Sequence, residues 1–305
     1  MADFQGIIVI HKEKGFTSHD VVAVVRRTIG QKKVGHTGTL DPDATGVLPV
    51  CVGKATKLAD YIMASEKTYI AEVTLGAFTD TQDSSGNILE RHEVDFDEEK
   101  IRTALNSFIG NLQQTPPMYS AIKINGKKLY ELAREGKEVE RKKRNITIFN
   151  IEILSFNPPD KFVMKVDCSK GTYIRTLCDD IGRKLGCGAY MSSLERTRSG
   201  SFVKENSITL DELKIKCEDG RGEEVLLSME KALEKYKRIT VSPKAEKLLY
   251  NGAKIYEYFY DNPEKADLGE TAAVFDSKNN LVGLYTLIFD GEKNKACVKP
   301  VTILL

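Results

Sequence analysis

Residues 35 to 46 read Gly-His-Thr-Gly-Thr-Leu-Asp-Pro-Asp-Ala-Thr-Gly, small and polar side chains around one constrained carboxylate. Three glycines, three threonines and an alanine leave little bulk, so another molecule can approach this backbone closely. Asp41 precedes Pro42, whose ring steers it towards an extended backbone and narrows where its carboxylate points. A carboxylate held in that way suits a nucleophile or a base. The same composition also makes an ordinary turn, since Asp before Pro commonly starts one. No Gly-Lys-Ser/Thr follows, so the loop is not a Walker-type phosphate loop. Asp41 and Asp43 are not read as a glycosidase pair, which draws its two carboxyls from different segments. Asp80 and Asp83, set against Gly86, miss the alternation of an EF-hand and read as a structured turn. His11, His19, His36 and His92 and the cysteines form no zinc spacing and no C-x-x-C pair.

Strand-like and helix-like segments alternate around this loop. Gly6 to His11 is β-rich, and Thr17 and Ser18 cap a helix carrying Val21, Val22, Val25 and Ile29 to Gly30. Residues 34 to 46 form a loop, Val47 to Val52 a strand, and Lys54 to Met63 a helical stretch. Thr68 to Leu75 alternates, with Tyr69, Ala71, Val73 and Leu75 on one face. Asp97 to Ile109 is an amphipathic helix, and Ile146 to Phe156 and Phe162 to Cys168 are neighbouring strands. Helices are expected over Thr176 to Leu185 and Val225 to Lys237. After about Arg238 come a short helix, Pro243 to Tyr250, and β-like runs at Ala272 to Phe275, Leu281 to Phe289 and Ala296 to Leu304. Without a regular βαβ period, the order favours α+β architecture: a body over 1–238 and a small β-rich domain over 239–305.

The chain has 305 residues, 41% hydrophobic and 29% charged, which describes a globular protein. Its longest apolar runs, such as Gly6 to Ile10 and Val47 to Val52, are too short for a membrane span, and without a basic-then-apolar order at the N-terminus no signal peptide is expected. A soluble intracellular protein, and from that a cytoplasmic one, is expected. Six scattered cysteines suit reduced core thiols. Net charge is only +1 but is segregated. The windows Lys12–Lys33, Lys123–Arg144 and Lys161–Lys204 carry local surpluses of +4, +5 and +5, while Asp80–Glu99 carries −7. Such segregation gives a basic face for a polyanion, or simply solvated surface that clusters.

The string GHTGTLDPDATGVLPVCVGKATK resembles the signature of the TruB family of tRNA pseudouridine synthases. The likeness continues through KEKGFTS at Lys12–Ser18, KTY at Lys67–Tyr69, LG at Leu75–Gly76 and TDTQDSSG at Thr79–Gly86. It extends through TPPMYSAIK at Thr115–Lys123, GKKLY at Gly126–Tyr130, CSKGTYIRT at Cys168–Thr176 and LERTRSG at Leu194–Gly200. It covers roughly residues 5 to 205. It implies a pseudouridine-synthase fold with a mixed, mainly antiparallel central sheet flanked by helices and loops, and, more weakly, a PUA-like tail from about residue 240. The implied reaction is conversion of uridine 55 in the tRNA T-loop to pseudouridine, by base flipping and without cofactor or metal.

The resemblance makes Asp41 the catalytic aspartate and Arg175 its guanidinium partner, which would keep a covered carboxylate charged and oriented. Tyr69 would lie beside the base, stacking on it or passing a proton; by itself it reads as a core tyrosine. Tyr173 and Leu194 would line the nucleotide pocket, and His36 would stand near the flipped nucleotide. Lys123, Lys127, Lys128, Lys142, Lys143 and Arg144, in an arm over about 123–144, are candidates for gripping the RNA backbone. The expected partner is the tRNA T-stem-loop, met by a monomer. Alternatives are a synthase acting on another RNA with a guide particle, an RNA-binding or tRNA-folding module in which catalysis is secondary, and an unrelated phosphate binder.

Overall fold

The computed structural model describes residues 4–124, 126–263 and 266–305. Its frame is a ten-stranded mixed sheet. Along the main path the order is Leu226–Leu227, Gly6–Lys12, Thr45–Val52, Ala189–Ser199, Lys67–Leu75, Lys161–Cys168, Arg144–Asn157 and Gly110–Gln114. Neighbours on this path pair antiparallel except where Thr45–Val52 meets Ala189–Ser199 in parallel, with Glu195 opposite Thr45 and Arg196 opposite Gly46. Val34–His36 adds to the edge of Thr45–Val52, so the segment expected as one loop is a short strand, a loop from Thr37 to Ala44, and the start of the next strand.

The alternating segment behaves as its pattern requires: Tyr69, Ala71, Val73 and Leu75 all face a core shared with Phe162, Met164 and Leu177. The Glu98–Asn106 and Ile174–Leu185 helices cover that face. The Ser18–Ile29 helix begins with a reciprocal capping box between Thr17 and Asp20 and ends at Gly30 in the left-handed region (φ 66°). Its Val21, Val22, Val25 and Ile29 pack on Ile8, Ile10, Leu48 and Val50.

One expectation changes, and one element is new. The helix expected over Val225 to Lys237 is broken into a 3-10 turn at Gly222–Val225, a two-residue strand at Leu226–Leu227 and one helical turn at Met229–Ala232. Its apolar residues serve two cores: Val225 and Leu226 pack towards the Ser18–Ile29 helix, whereas Leu227, Ala232 and Leu233 pack on the other side of the sheet. One continuous helix cannot present both faces in that order. The Ala189–Ser199 strand, central in the sheet, has no apolar alternation to announce it, because its buried positions include Arg196 and Ser199.

A second, six-stranded sheet runs from Arg238 to Ile303. It has its own core around Val241, Leu249, Val274 and Tyr285. It is also fused to the first body: Phe275, Leu281, Leu284 and Leu304 share a core with Ile7, Val9, Val47 and Phe202. Lys57 donates to the Ile303 carbonyl (2.7 Å), and Thr302 and Tyr61 join their hydroxyls (3.2 Å). No helix among the described residues is long and apolar enough to cross a membrane.

Candidate active site

The Thr37–Ala44 loop is tied down along its length. Thr37 bonds the Pro49 carbonyl, and Ser18 Oγ both accepts from Leu40 N (2.9 Å) and donates to its carbonyl (3.2 Å). The Lys12 ammonium, fully buried, donates to the carbonyls of Glu13, Phe16 and Pro42 (3.0, 2.7 and 3.1 Å). Burial pulls the Lys12 pKa down to about 8, opposed mainly by the negative charge of Asp41. From the other side Arg196, also buried, donates to Val47 O (2.8 Å) and Gly38 O (3.1 Å). Gly46 (φ 105°) closes the loop where a Cβ would stand 2.2 Å from the Arg196 carbonyl, so only glycine fits.

Held in this way, Asp41 meets Arg175 side-on: Nε lies 3.1 Å from Oδ2 and Nη2 3.3 Å from Oδ1. Arg175 sits in the first turn of the Ile174–Leu185 helix, whose start is fixed by Gln114 bridging the Tyr173 N–H and C=O (2.8 and 3.0 Å). Its remaining donors reach Tyr119 O (2.9 Å), Thr81 O (3.3 Å) and Asp83 Oδ2 (3.2 Å). Asp83 is in turn oriented by Thr81 Oγ1 and by the Ser85 N–H and hydroxyl. The residues read as a structured turn therefore do form one, and the turn also aims a second carboxylate at the guanidinium.

Asp41 and Arg175 lie in a cleft of about 610 Å³ whose lining includes Tyr69, Tyr173, Leu194 and Arg144. The Asp41 side chain is 40% exposed, open to the cleft, while that of Arg175 is 6% exposed. Surrounding protein raises the Asp41 pKa above the ordinary carboxylate value; Arg175 opposes the rise and Asp83 adds to it. Tyr69, 9% exposed, has its hydroxyl beside the Arg196 guanidinium, and burial raises its pKa. The structure thus brings Asp41, Arg175, Tyr69, Tyr173 and Leu194 to one cleft.

His36 stands outside that lining. Its Nδ1 accepts from Gly38 N (3.3 Å), its ring meets His19 edge-on at 5.1 Å, and burial, with His19 and Arg196 adding to it, pulls its pKa down to about 4. Of the arm residues, Arg144 reaches the cleft, and Lys123, Lys142 and Lys143 are exposed. Lys127 is ion-paired with Glu135 (3.3 Å) and Lys128 lies against Tyr130. Sequence reasoning had not singled out Lys12, Ser18, Asp83 or Arg196 as site residues. All four lie inside the stretches that carried the resemblance, but neither spacing nor residue type distinguishes a buried loop clamp from a solvated charge.

Comparison with known proteins follows the same lines. A model of the TruB family pseudouridylate synthase N-terminal domain matches residues 26–174, and one of the tRNA pseudouridylate synthase B C-terminal domain matches 175–234. The chain is 47% identical over 280 residues to a Clostridium perfringens protein named tRNA pseudouridine synthase B, covering 92% of this chain and 94% of the relative. It is 46% identical over 299 residues to the Alkaliphilus oremlandii protein of the same name, covering 98% of each. Among solved structures, a Cbf5–Nop10–Gar1 complex gives a TM-score of 0.78 at 29% identity, over 98% of this chain and 85% of that one. An H/ACA ribonucleoprotein bound to a substrate RNA containing 2′-deoxyuridine gives 0.76 at 27% identity, with the same coverage. With near-half identity sustained over almost its whole length, and with the buried loop clamps and paired aspartate in place, this chain belongs to the TruB family of pseudouridylate synthases.

Proposed function

We propose that this protein isomerises uridine in tRNA to pseudouridine, with uridine 55 of the T-loop as its target. The observation that carries the reading is the Asp41 carboxylate, gripped side-on by Arg175 at a cleft large enough for one extruded nucleotide. The net reaction exchanges an N1–C1′ bond for a C5–C1′ bond, and a proton leaves C5 while one is taken at N1. It therefore balances without an external oxidant or reductant. Asp41 acts as the nucleophile, and Arg175 keeps it charged once a base covers it. Tyr69 offers a ring for the base and a hydroxyl for proton transfer, while Tyr173 and Leu194 complete the apolar wall. His36 meets the RNA from outside the cleft. Extrusion of the target costs a few kcal/mol. Stacking on an aromatic returns roughly 1–3 kcal/mol, and basic side chains such as Arg144, Lys142 and Lys143 supply backbone affinity.

The second sheet serves as a PUA-like RNA-binding domain, and the protein works as a cytoplasmic monomer. The similarity to guide-RNA particles supports a common catalytic body, whereas the relatives at 46–47% identity favour tRNA as substrate. The test is incubation of the pure chain with an unmodified tRNA transcript, followed by mapping of the product. Pseudouridine at position 55 is expected with wild type and none with Asp41→Asn, whose tRNA affinity should stay within a few-fold. Full turnover by Asp41→Asn would overturn the assignment of the nucleophile.

A further inference from the structure

We propose that Lys67, Lys170 and Lys235 form a phosphate-binding site on the rim of the cleft, which takes the sugar–phosphate backbone of the RNA substrate. The proposal rests on the functional reading above and adds a contact outside the 123–144 arm.

The three lysines come from separate parts of the chain. Lys67 opens the Lys67–Leu75 strand, is 5% exposed and lines the cleft; its ammonium donates to the Met63 carbonyl (2.6 Å) and to that of Ser65. Lys235 arrives from the link between the two sheets and places its ammonium 3.2 Å from Ser65 Oγ, over the Tyr236 ring. Tyr236 packs edge-on against Tyr61, which fixes the base of that side chain. Lys170 projects from the turn before the Ile174–Leu185 helix and is exposed on the cleft lining. That turn is shaped by Gly171 (φ 79°) and by Thr172 Oγ1 donating to Ser169 O (2.9 Å).

Each lysine acts on the others. Burial lowers the Lys67 pKa to about 8, and Arg196, Lys235 and Lys170 push in the same direction. Burial also lowers the Lys235 pKa, with Lys170 adding to it and Glu66 opposing. Nearby acids include Glu66 and Asp167, which both stand against Arg198 (4.0 and 3.2 Å), and Asp41 and Asp60 also line the cleft. Five cations, Lys67, Lys170, Arg144, Arg175 and Arg196, share the cleft lining with two carboxylates, Asp41 and Asp60, and Lys235 adds a further positive charge beside them. Among the described residues, neither Lys170 nor Lys235 has an ion-pair partner. Crowding like charges in excess of their counter-charges costs free energy that a bound phosphate returns, and a lysine ammonium suits it as a compact point charge. The site opens onto the cleft through which a polyanionic substrate must pass.

Lys67 also supports two backbone carbonyls, so the test leaves it in place. Lys170→Gln and Lys235→Gln, singly and together, are compared with wild type and with Lys100→Gln, which removes a lysine paired to Asp95 on the acidic side. Binding of an unmodified tRNA transcript is measured across salt, with the single-turnover rate at saturating enzyme. Each phosphate contact contributes about 0.7–0.9 to the slope of log affinity against log salt. Between about 50 and 200 mM salt, wild type should therefore lose roughly ten-fold more affinity than the double variant. Each single variant should show about half of the slope change, the saturating rate should stay within two-fold, and Lys100→Gln should match wild type. If the double variant melts well below wild type, the single variants decide. An unchanged slope in folded variants overturns the site. Wild type that binds tRNA and makes no product overturns the functional reading instead, and the slope still decides the site.

Discussion

Replacing Arg175 with lysine keeps the positive charge and removes the fork, so it tests geometry rather than charge. Arg175 makes four guanidinium hydrogen bonds, one each to Asp41, Asp83, Thr81 O and Tyr119 O, and its Nε stands 3.1 Å from Asp41 Oδ2 as an ion pair. A lysine ammonium has three donors, so at least one of these bonds is lost along with the side-on pairing to Asp41. For a bond to a charged group the loss is then at least about 1.5–3 kcal/mol. Water in the cleft can replace bonds on Asp41, whose side chain is 40% exposed, but has poorer access to the carbonyls packed around a side chain only 6% exposed. The cost therefore divides between a lower melting temperature and a loosened carboxylate. A reacting group displaced by about 1 Å loses on the order of 100-fold in rate. The assay is single-turnover pseudouridine formation on a tRNA transcript from pH 5 to 9, with thermal melting alongside. Arg175→Lys should lower the saturating rate by roughly 100-fold and leave tRNA affinity within a few-fold. Burial already raises the Asp41 pKa and Arg175 opposes that rise, so the acid limb of the rate profile should move to higher pH in the variant. A rate within a few-fold of wild type and an unmoved acid limb would refute the claim that the fork holds the nucleophile.

Other outcomes follow from the same geometry. His36 has a pKa of about 4 when folded against an ordinary 6.5, so between these values the unfolded chain binds a proton that the folded chain refuses. Its contribution is fully present above pH 6.5 and is lost as the pH falls towards 4; His36→Asn should flatten that part of the urea-midpoint profile, and an identical profile would contradict it. Replacing Lys142, Lys143 and Arg144 together should weaken tRNA binding most at low salt, and an unchanged salt slope would exclude phosphate contacts there. Deleting residues 239–305 removes Phe275, Leu281, Leu284 and Leu304 from a shared core. At about 1.5–3 kcal/mol per large apolar side chain, that approaches the ~5–15 kcal/mol stability of a typical protein. The truncated chain should melt far lower or aggregate, and full-length-like melting would show that the sheets are independent.

Residue order alone determined the local pieces. The alternation of Tyr69, Ala71, Val73 and Leu75, the Thr17 cap and Gly30 stop, and the Asp41-Pro42 constraint are short-range facts, set by the pleat, the unpaired ends of a helix and the proline ring. Each can be read without knowing what it packs against. The tertiary structure decided which charges are buried as loop clamps and which line the cleft. Arg196 looks like a surface residue until the parallel pairing of Thr45–Val52 with Ala189–Ser199 buries it under the Thr37–Ala44 loop. Asp83 reads as a turn former until the Ile174–Leu185 helix brings Arg175 within 3.2 Å, from 92 residues away. The helix expected over 225–237 gave way because its apolar residues divide between two cores. In each case the deciding contact joins distant segments, and no periodicity within one segment encodes its partner in another.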